Sequence, residues 1–349
     1  MSQAVFAIPG DKDRRTGGFI YEARVLRELN ELGCATDHMQ LPDSFPDPTG
    51  ADMATALYAL YAVPGDRPII LDGLVFGAID PDGLARVRAP VIAMVHHPLG
   101  FETGLPKARA DWLLKNEAAA LRHVAHIIVP SPETARVLVE DLGAEADRIT
   151  VALPGFDRPV VDRQPVNPPL ILSVGLLAPR KGHDVLLEAL AQIKDLPWQA
   201  EIVGKTHDQD YAATLHAQAR MLGIETRVTF AGELQQDRLT ARYNAASVFA
   251  LATRYEGYGL VLSEAMFFGL PVVSCRVGAV PATVGDAASL VPADDPASLA
   301  TALRQVVTDP QAAARLSRLS LERSATLPQW RDTAQVFAAT IARLGGIGP

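Results

Sequence analysis

The chain has 349 residues, 48% of them apolar and 21% charged, with a formal net charge of −8. That length favours two domains over a single core, and the composition is that of a globular chain, not a disordered one. The acidic balance, with no Lys/Arg run, argues against nucleic acid as a main partner.

Residues 4–10, AVFAIPG, read as a first strand leading into a loop that ends at Gly17-Gly18. YEARVLRELNEL (21–32) then spaces apolar residues as a helix does and stops at Gly33. Cys34 follows, far from Cys275 and with no C-x-x-C pair, which predicts two buried thiols in a reducing cytosol and no disulfide framework. Acids and prolines within the first dozen residues speak against a signal peptide, and no apolar run approaches the roughly 20 residues of a membrane span. Strands are predicted at PIILD (68–72), PVIAMV (90–95), HIIVP (126–130) and RITVAL (148–153), with helices at 108–123 and 132–142. The helix around Trp112 carries Lys107, Arg109 and Lys115. Asp111 and Glu117 dilute that charge, so a solvated face is favoured over contact with a membrane surface.

DRPVVDRQPVNPP (157–169) has four prolines and no periodicity and reads as a linker. The pattern then restarts. LILSV (170–174) is a strand, GLLAPRKG (175–182) a loop and HDVLLEALAQI (183–193) a helix. QAEIVG (199–204), RVTFAG (227–232), SVFALA (247–252) and PVVSC (271–275) are further strands. Strands alternating with helices predict parallel α/β sheets. The division read from this is a first domain over 1–160, a second over 167–330 and a terminal amphipathic helix within 331–349. Two such sheets joined by a hinge are expected to face across a cleft lined by their carboxyl-end loops, where ligands bind.

The most informative stretch is RYEGYGLVLSEAMFFGLP (254–271). The helix predicted to start near Leu260 is apolar on all sides, which implies burial, yet Glu264 shares the side of Val261 and Phe268. An unpaired buried carboxylate costs several kcal/mol. Three accounts stand open: a buried arginine partner, a helix less buried than it looks, or a carboxylate that accepts hydrogen bonds from ligand hydroxyls such as a ribose diol. Glu256 lies in the preceding loop with Gly257 and Gly259, whose backbone can approach a ligand closely, and the helix N-terminus behind them favours an anion. A second candidate is APRKGHD (178–184). There Arg180 and Lys181 precede a helix N-terminus, a grip suited to a diphosphate. The third is AMVHHPLG (93–100), where His96 and His97 directly follow a strand and so stand at its carboxyl end. Gly17 and Gly18 would admit a ligand or form a turn. No H-E-x-x-H motif or other convincing metal-ligand cluster is apparent.

EGYGLVLSEAMFFGLPVVSCRVGAVP resembles the signature of the retaining glycosyltransferases of family four, in which an E-x7-E motif precedes a G-x-P-V-V strand. SVGLLAPRKGHDVLLEAL is similar to that family's phosphate-binding block, AEIVGKTHDQDYAATLHAQARMLGIETRVTFAGEL to its nucleobase-flanking block, and SPETARVLVEDLGAEADRITVALPGFD to the close of its N-terminal domain. The resemblance implies a GT-B fold, two Rossmann-like doubly wound parallel-sheet domains with the last helix returning to the first, and a cytoplasmic enzyme with at most peripheral membrane contact. It implies that Glu264 binds the ribose of a UDP- or GDP-sugar and Glu256 the donor sugar, with Gly257, Tyr258, Gly259 and Leu260 supplying backbone groups beside it. Lys181 would hold the diphosphate, His96 would lie near the transferred sugar, and Gly17 and Gly18 would flank the phosphates. It further implies no metal and no cofactor beyond the nucleotide-sugar co-substrate, and a lipid or saccharide hydroxyl as acceptor. Three departures stand out. Leu176 occupies the position of a usual arginine, for which Arg180 is the candidate substitute. Ala282 stands where a glutamate is common. The histidine is doubled, so His97 competes with His96. The expected activity is retaining sugar transfer. The alternatives are a catalytically weak nucleotide-sugar-binding protein, which Leu176 and Ala282 would suit, and a GT-B sugar-nucleotide epimerase.

Overall fold

The computed structural model describes residues 3–14, 16–102 and 104–345. The chain divides into two compact units, Met1–Asp157 with Pro328–Pro349, and Arg158–Leu327.

Unit 1 contains strands β1 (Ala4–Pro9), β2 (Thr36–Leu41), β3 (Ile69–Asp72), β4 (Val91–Met94), β5 (His126–Val129) and β6 (Ile149–Val151). Its helices are α1 (Gly17–Glu31), α2 (Gly50–Tyr61), α3 (Gly73–Ala78), α4 (Pro81–Leu84), α5 (Lys107–Ala120) and α6 (Pro132–Glu140). Unit 2 contains β7 (Leu170–Val174), β8 (Gln199–Val203), β9 (Val228–Gly232), β10 (Val248–Leu251), β11 (Val272–Cys275) and β12 (Ala288–Val291). Its helices are α7 (His183–Ala191), α8 (Gln209–Met221), α9 (Gln236–Ala245), α10 (Leu260–Phe267), α11 (Val280–Val284), α12 (Pro296–Thr308) and α13 (Pro310–Ala325). The terminal helix α14 (Trp330–Leu344) belongs to unit 1; the last residues of the predicted 331–349 segment lie outside the described residues.

Every strand pairing is parallel, with orders β2-β1-β3-β4-β5-β6 and β12-β11-β10-β7-β8-β9. The central strands are near-continuous apolar runs because helices cover both faces of each sheet. In unit 1 one face holds Phe76, Leu60 and Leu121. The other holds Phe6, Tyr21, Val25 and Leu29 against Trp330, Phe337 and Ile341 of α14. The terminal helix thus covers α1 and the sheet, and Thr333 donates to the Leu153 carbonyl at 2.8 Å. Unit 2 packs Leu186, Leu187, Leu190, Trp198 and Leu303 about its sheet.

The sequence reading omitted β2 and β12. Both are edge strands with a single neighbour and largely half-exposed side chains, so their polar residues break the apolar run that marked the others. In α5, Arg109 stacks on the Trp112 ring at 4.5 Å and Lys107 pairs with Asp111 at 2.9 Å. Glu117 does not dilute that surface as expected: it points inward, fully buried, and accepts the Leu99 N–H at 3.0 Å. Among the described residues no helix is long and apolar enough to cross a membrane. Cys34 and Cys275 are both free and buried.

Candidate active site

The second sheet reverses its winding between β7 and β10, which lie side by side. In open α/β sheets ligands bind beyond the carboxyl ends of the strands at such a point. The loops leaving these two strands carry Arg180, Lys181 and Glu256.

Gly182 brings the loops together. It lies in the left-handed region at φ +63°, and a Cβ there would run into the Ala252 carbonyl at the exit of β10. The Arg254 N–H donates to the Arg180 carbonyl at 2.8 Å, and the Thr253 hydroxyl oxygen lies 3.1 Å from the same carbonyl oxygen. The Arg254 side chain fastens the turn from outside. Its guanidinium donates to the Pro179 carbonyl, to both Asp184 oxygens on α7 (2.7 and 3.1 Å) and to Asp294 (2.7 Å).

Inside this frame Lys181 donates to Glu256 Oε1 at 2.6 Å, with both side chains almost wholly buried. Thr253 donates to the same oxygen at 3.0 Å. The Arg180 guanidinium lies 3.6 Å from Glu256 Oε2 and donates to the Tyr255 carbonyl at 2.9 Å. Burial alone would push the Glu256 carboxyl up. The charges of Lys181 and Arg180, with the hydrogen bonds from Lys181 and Thr253, outweigh it and hold Glu256 below its ordinary value. Arg180 therefore faces the same carboxylate as Lys181, while Leu176, half-buried, offers its carbonyl to His183 Nε2 at 3.3 Å.

The loop ends at Gly259, which caps α10 from the left-handed region at φ +91°. The Leu262 N–H turns back to the Gly259 carbonyl at 3.0 Å, whereas the amides of Leu260 and Val261 have no intrahelical acceptor and are available to an anion. Late-loop groups pin this segment: the Ala279 N–H donates to the Glu256 carbonyl at 2.9 Å and the Thr283 hydroxyl to the Tyr258 carbonyl at 2.6 Å. Ala282 is exposed, and its carbonyl accepts from Arg323 at 2.7 Å.

Glu264 sits one turn along α10, and here the expectation of a helix buried all round is corrected. Leu262, Ser263, Ala265, Met266 and Phe267 are buried, whereas Leu260, Val261 and Glu264 form a half-exposed side. The carboxylate also has a partner, but a tyrosine and not an arginine. The Tyr243 hydroxyl on α9 donates to Oε2 at 2.9 Å, while Oε1 has no protein partner among the described residues. Tyr243 is itself buried, stacked on Phe268 with ring centroids 5.0 Å apart. Burial raises the Glu264 carboxyl and the Tyr243 hydrogen bond lowers it in part.

In unit 1, Gly17 and Gly18 are the first two residues of α1, not loop residues before it. The first-turn amides of a helix lack intrahelical acceptors in any case. Gly18 also makes room: an added Cβ would stand 3.3 Å from the His96 ring. His96 Nε2 lies 3.1 Å from Glu22 Oε1, and His97 Nε2 lies 3.1 Å from Glu102 Oε2. Glu22, Asp72 and His96 bring their oxygen and nitrogen atoms within 4.8 Å of one another. The sequence reading missed Glu22, Asp72, Tyr243 and Arg254. Glu22 carried the same signal as Glu264, a carboxylate on the apolar face of a helix, and Asp72 closes the otherwise apolar strand IILD.

Comparison with known proteins follows the same division. The family model described as "Glycosyl transferases group 1" matches residues 159–322, and that described as "Glycosyltransferase Family 4" matches 76–158. A D-inositol 3-phosphate glycosyltransferase of Corynebacterium efficiens is 30% identical over 70% of this chain, a match that spans 62% of that relative's length. An MMP alpha-(1->4)-mannosyltransferase of Mycolicibacterium hassiacum is 25% identical over 86% of this chain and 77% of its own. Among solved structures, a sucrose-phosphate synthase from Thermosynechococcus elongatus superposes with a TM-score of 0.84 at 22% identity, covering 99% of this chain and 100% of the other. Anabaena HepE, solved with UDP and glucose, gives 0.79 at 19% identity, with the same coverage of both chains.

Proposed function

The chain belongs to the glycosyltransferases of family four and has their GT-B fold of two doubly wound units, and from that premise we propose that it moves a sugar from a nucleoside diphosphate donor, UDP- or GDP-linked, to a hydroxyl acceptor. The observation that carries the reading is the pair of loops at the β7/β10 switch point. They bring two cations, an acceptor-only carboxylate and an open helix N-terminus together, one turn from a second carboxylate with a free oxygen. Such a set matches the parts of a nucleotide sugar. Lys181 and Arg180 with the α10 amides suit the diphosphate. Glu264 Oε1 suits the ribose diol, and Glu256 suits hydroxyls of the donor sugar.

Donor binding is proposed to redistribute the charges already present. Lys181 and Arg180 neutralise Glu256 before the donor arrives. The diphosphate then offers them a second anion, whose charge grows as the glycosidic bond breaks. Cations positioned there favour the transition state over the ground state. We assign this neutralisation to side chains and helix ends, with no divalent metal. His96 serves the transferred sugar, the acceptor proton leaves with the diphosphate, and same-face attack retains the anomeric configuration. HepE's bound UDP and the names of the inositol-phosphate and mannosyl relatives support a UDP- or GDP-sugar donor and a polyol, saccharide or glycolipid hydroxyl as acceptor. The two buried free thiols support a cytoplasmic setting.

The test is incubation with UDP- and GDP-sugars in EDTA, with and without polyol and saccharide acceptors, following diphosphate release and the anomeric proton by NMR. Acceptor-dependent release with retained configuration is expected. Epimerisation of the donor without acceptor would replace transfer by the epimerase reading. Donor binding without turnover under any acceptor would favour the weak binding protein that Leu176 and Ala282 suit.

A further inference from the structure

Unit 1 holds a buried polar chain that the donor site does not use. Glu22 is fully buried on the face of α1 that carries Phe19, Val25 and Leu29. Asp72, 3% exposed, ends β3, and its Oδ1 accepts the N–H groups of Leu74 and Val75 at 2.8 and 3.3 Å. The β3/β4 register sets Asp72 beside Met94, two residues before His96. The His96 ring rests edge-on against Tyr21, centroids 5.4 Å apart. Its Nε2 meets Glu22 Oε1, while Nδ1 has no protein partner among the described residues.

The direction of each hydrogen bond follows from its neighbours. Asp72 Oδ1 accepts from amides, so a proton on this carboxyl belongs on its other oxygen. The Glu22 and Asp72 carboxyls bring oxygens within 4.8 Å of each other, and neither has a Lys or Arg partner among the described residues, an arrangement that a shared proton relieves. Glu22 Oε2 is buried and has no hydrogen-bond partner among the described residues. Burial raises both carboxyls, Glu22 to about 8, and burial lowers His96, so the neutral form of every member is favoured. In that state a proton on the outer Asp72 oxygen faces the otherwise unpartnered Glu22 Oε2, Glu22 Oε1 donates to His96 Nε2, and one donor of the ring remains, at Nδ1.

We propose that Glu22, as a neutral acid, is a positioning residue that fixes His96 as the Nδ1–H tautomer, so that His96 presents a hydrogen-bond donor to an oxygen of the transferred sugar. The inference rests on the reading of His96 given above. A glutamine at position 22 reproduces the arrangement, its amide NH2 donating to Nε2 and its carbonyl accepting from Asp72. A leucine fills the space and supplies no donor.

The experiment combines ¹⁵N NMR of histidine-labelled full-length protein, with His96→Ala to assign the resonance, and steady-state kinetics of Glu22→Gln and Glu22→Leu. Expected are the Nδ1–H tautomer in wild type and E22Q, its loss in E22L, kcat within about threefold of wild type for E22Q, and a fall of about tenfold or more for E22L at nearly unchanged donor KM. An Nε2–H tautomer in the wild type, or loss of kcat in E22Q equal to that in E22L, overturns the chain, and the first needs no variant to fold. Wild-type kcat in His96→Ala overturns the role in transfer, while the NMR result still decides the tautomer.

Discussion

Replacing Lys181 by methionine separates what this residue does for the fold from the role proposed for it toward the donor. Its ammonium lies 2.6 Å from Glu256 Oε1, and the carboxylate is 5% exposed. Removing one partner of a buried pair typically costs about 3–5 kcal/mol, because it strands the other charge. Arg180 at 3.6 Å and the Thr253 hydroxyl at 3.0 Å remain, so the low end, about 3 kcal/mol, applies. In a unit of this size that lowers Tm by about 6–12 °C. Adding Glu256→Gln removes the stranded charge, so the double variant regains most of the loss yet binds the diphosphate poorly. The pH dependence has a definite sign. Glu256 is held below its ordinary value, so the pair's contribution is full above the ordinary carboxylate range and fades as pH falls through the depressed value. The penalty of K181M therefore shrinks in acid. Melting curves of the wild type, both single variants and the double variant, with and without UDP, provide the assay. A double variant no more stable than K181M, or a K181M variant as stable as wild type, would refute the reasoning.

Tyr243→Phe keeps the stacking on Phe268 and deletes only the hydroxyl that lowers the Glu264 carboxyl. Glu264 then takes up its proton at higher pH, and titrations from pH 5 to 8 should show donor affinity failing earlier on acidification than in wild type. His96→Ala should reduce kcat far more than donor affinity, and a larger loss in His97→Ala would reassign the role. Arg180→Ala should lose a large part of kcat, since a second cation next to the leaving diphosphate acts mainly on the transition state. Leu176→Ala should cost packing stability alone. Near-normal kcat in Arg180→Ala would remove Arg180 as substitute for the missing arginine.

The elements that were legible share a physical cause. Central strands such as IILD and LILSV read as apolar runs because both sheet faces are covered, and Gly33 and Gly259 mark a helix end and a helix start through backbone that side chains resist. Thr36–Leu41 was not legible because an edge strand with half-exposed side chains has no distinctive pattern. The switch-point loops could be singled out because glycines, cations and carboxylates cluster within short stretches. The partners of those residues could not. Tyr243 reaches Glu264 from another helix, and Glu22, Asp72 and His96 meet only because β1, β3 and β4 are consecutive in the sheet, an order that local sequence does not encode.

The central claim is that the switch-point loops of unit 2 and Glu264 hold a nucleoside diphosphate. Calorimetric titration of UDP and of GDP, in EDTA, into wild type and Glu264→Ala tests it most directly. The account predicts that one of the two nucleotides binds wild type. Loss of the charged acceptor should weaken that binding by about 1.5–3 kcal/mol, roughly 10- to 150-fold. Unchanged affinity in Glu264→Ala, or no binding of either nucleotide to wild type, would contradict it.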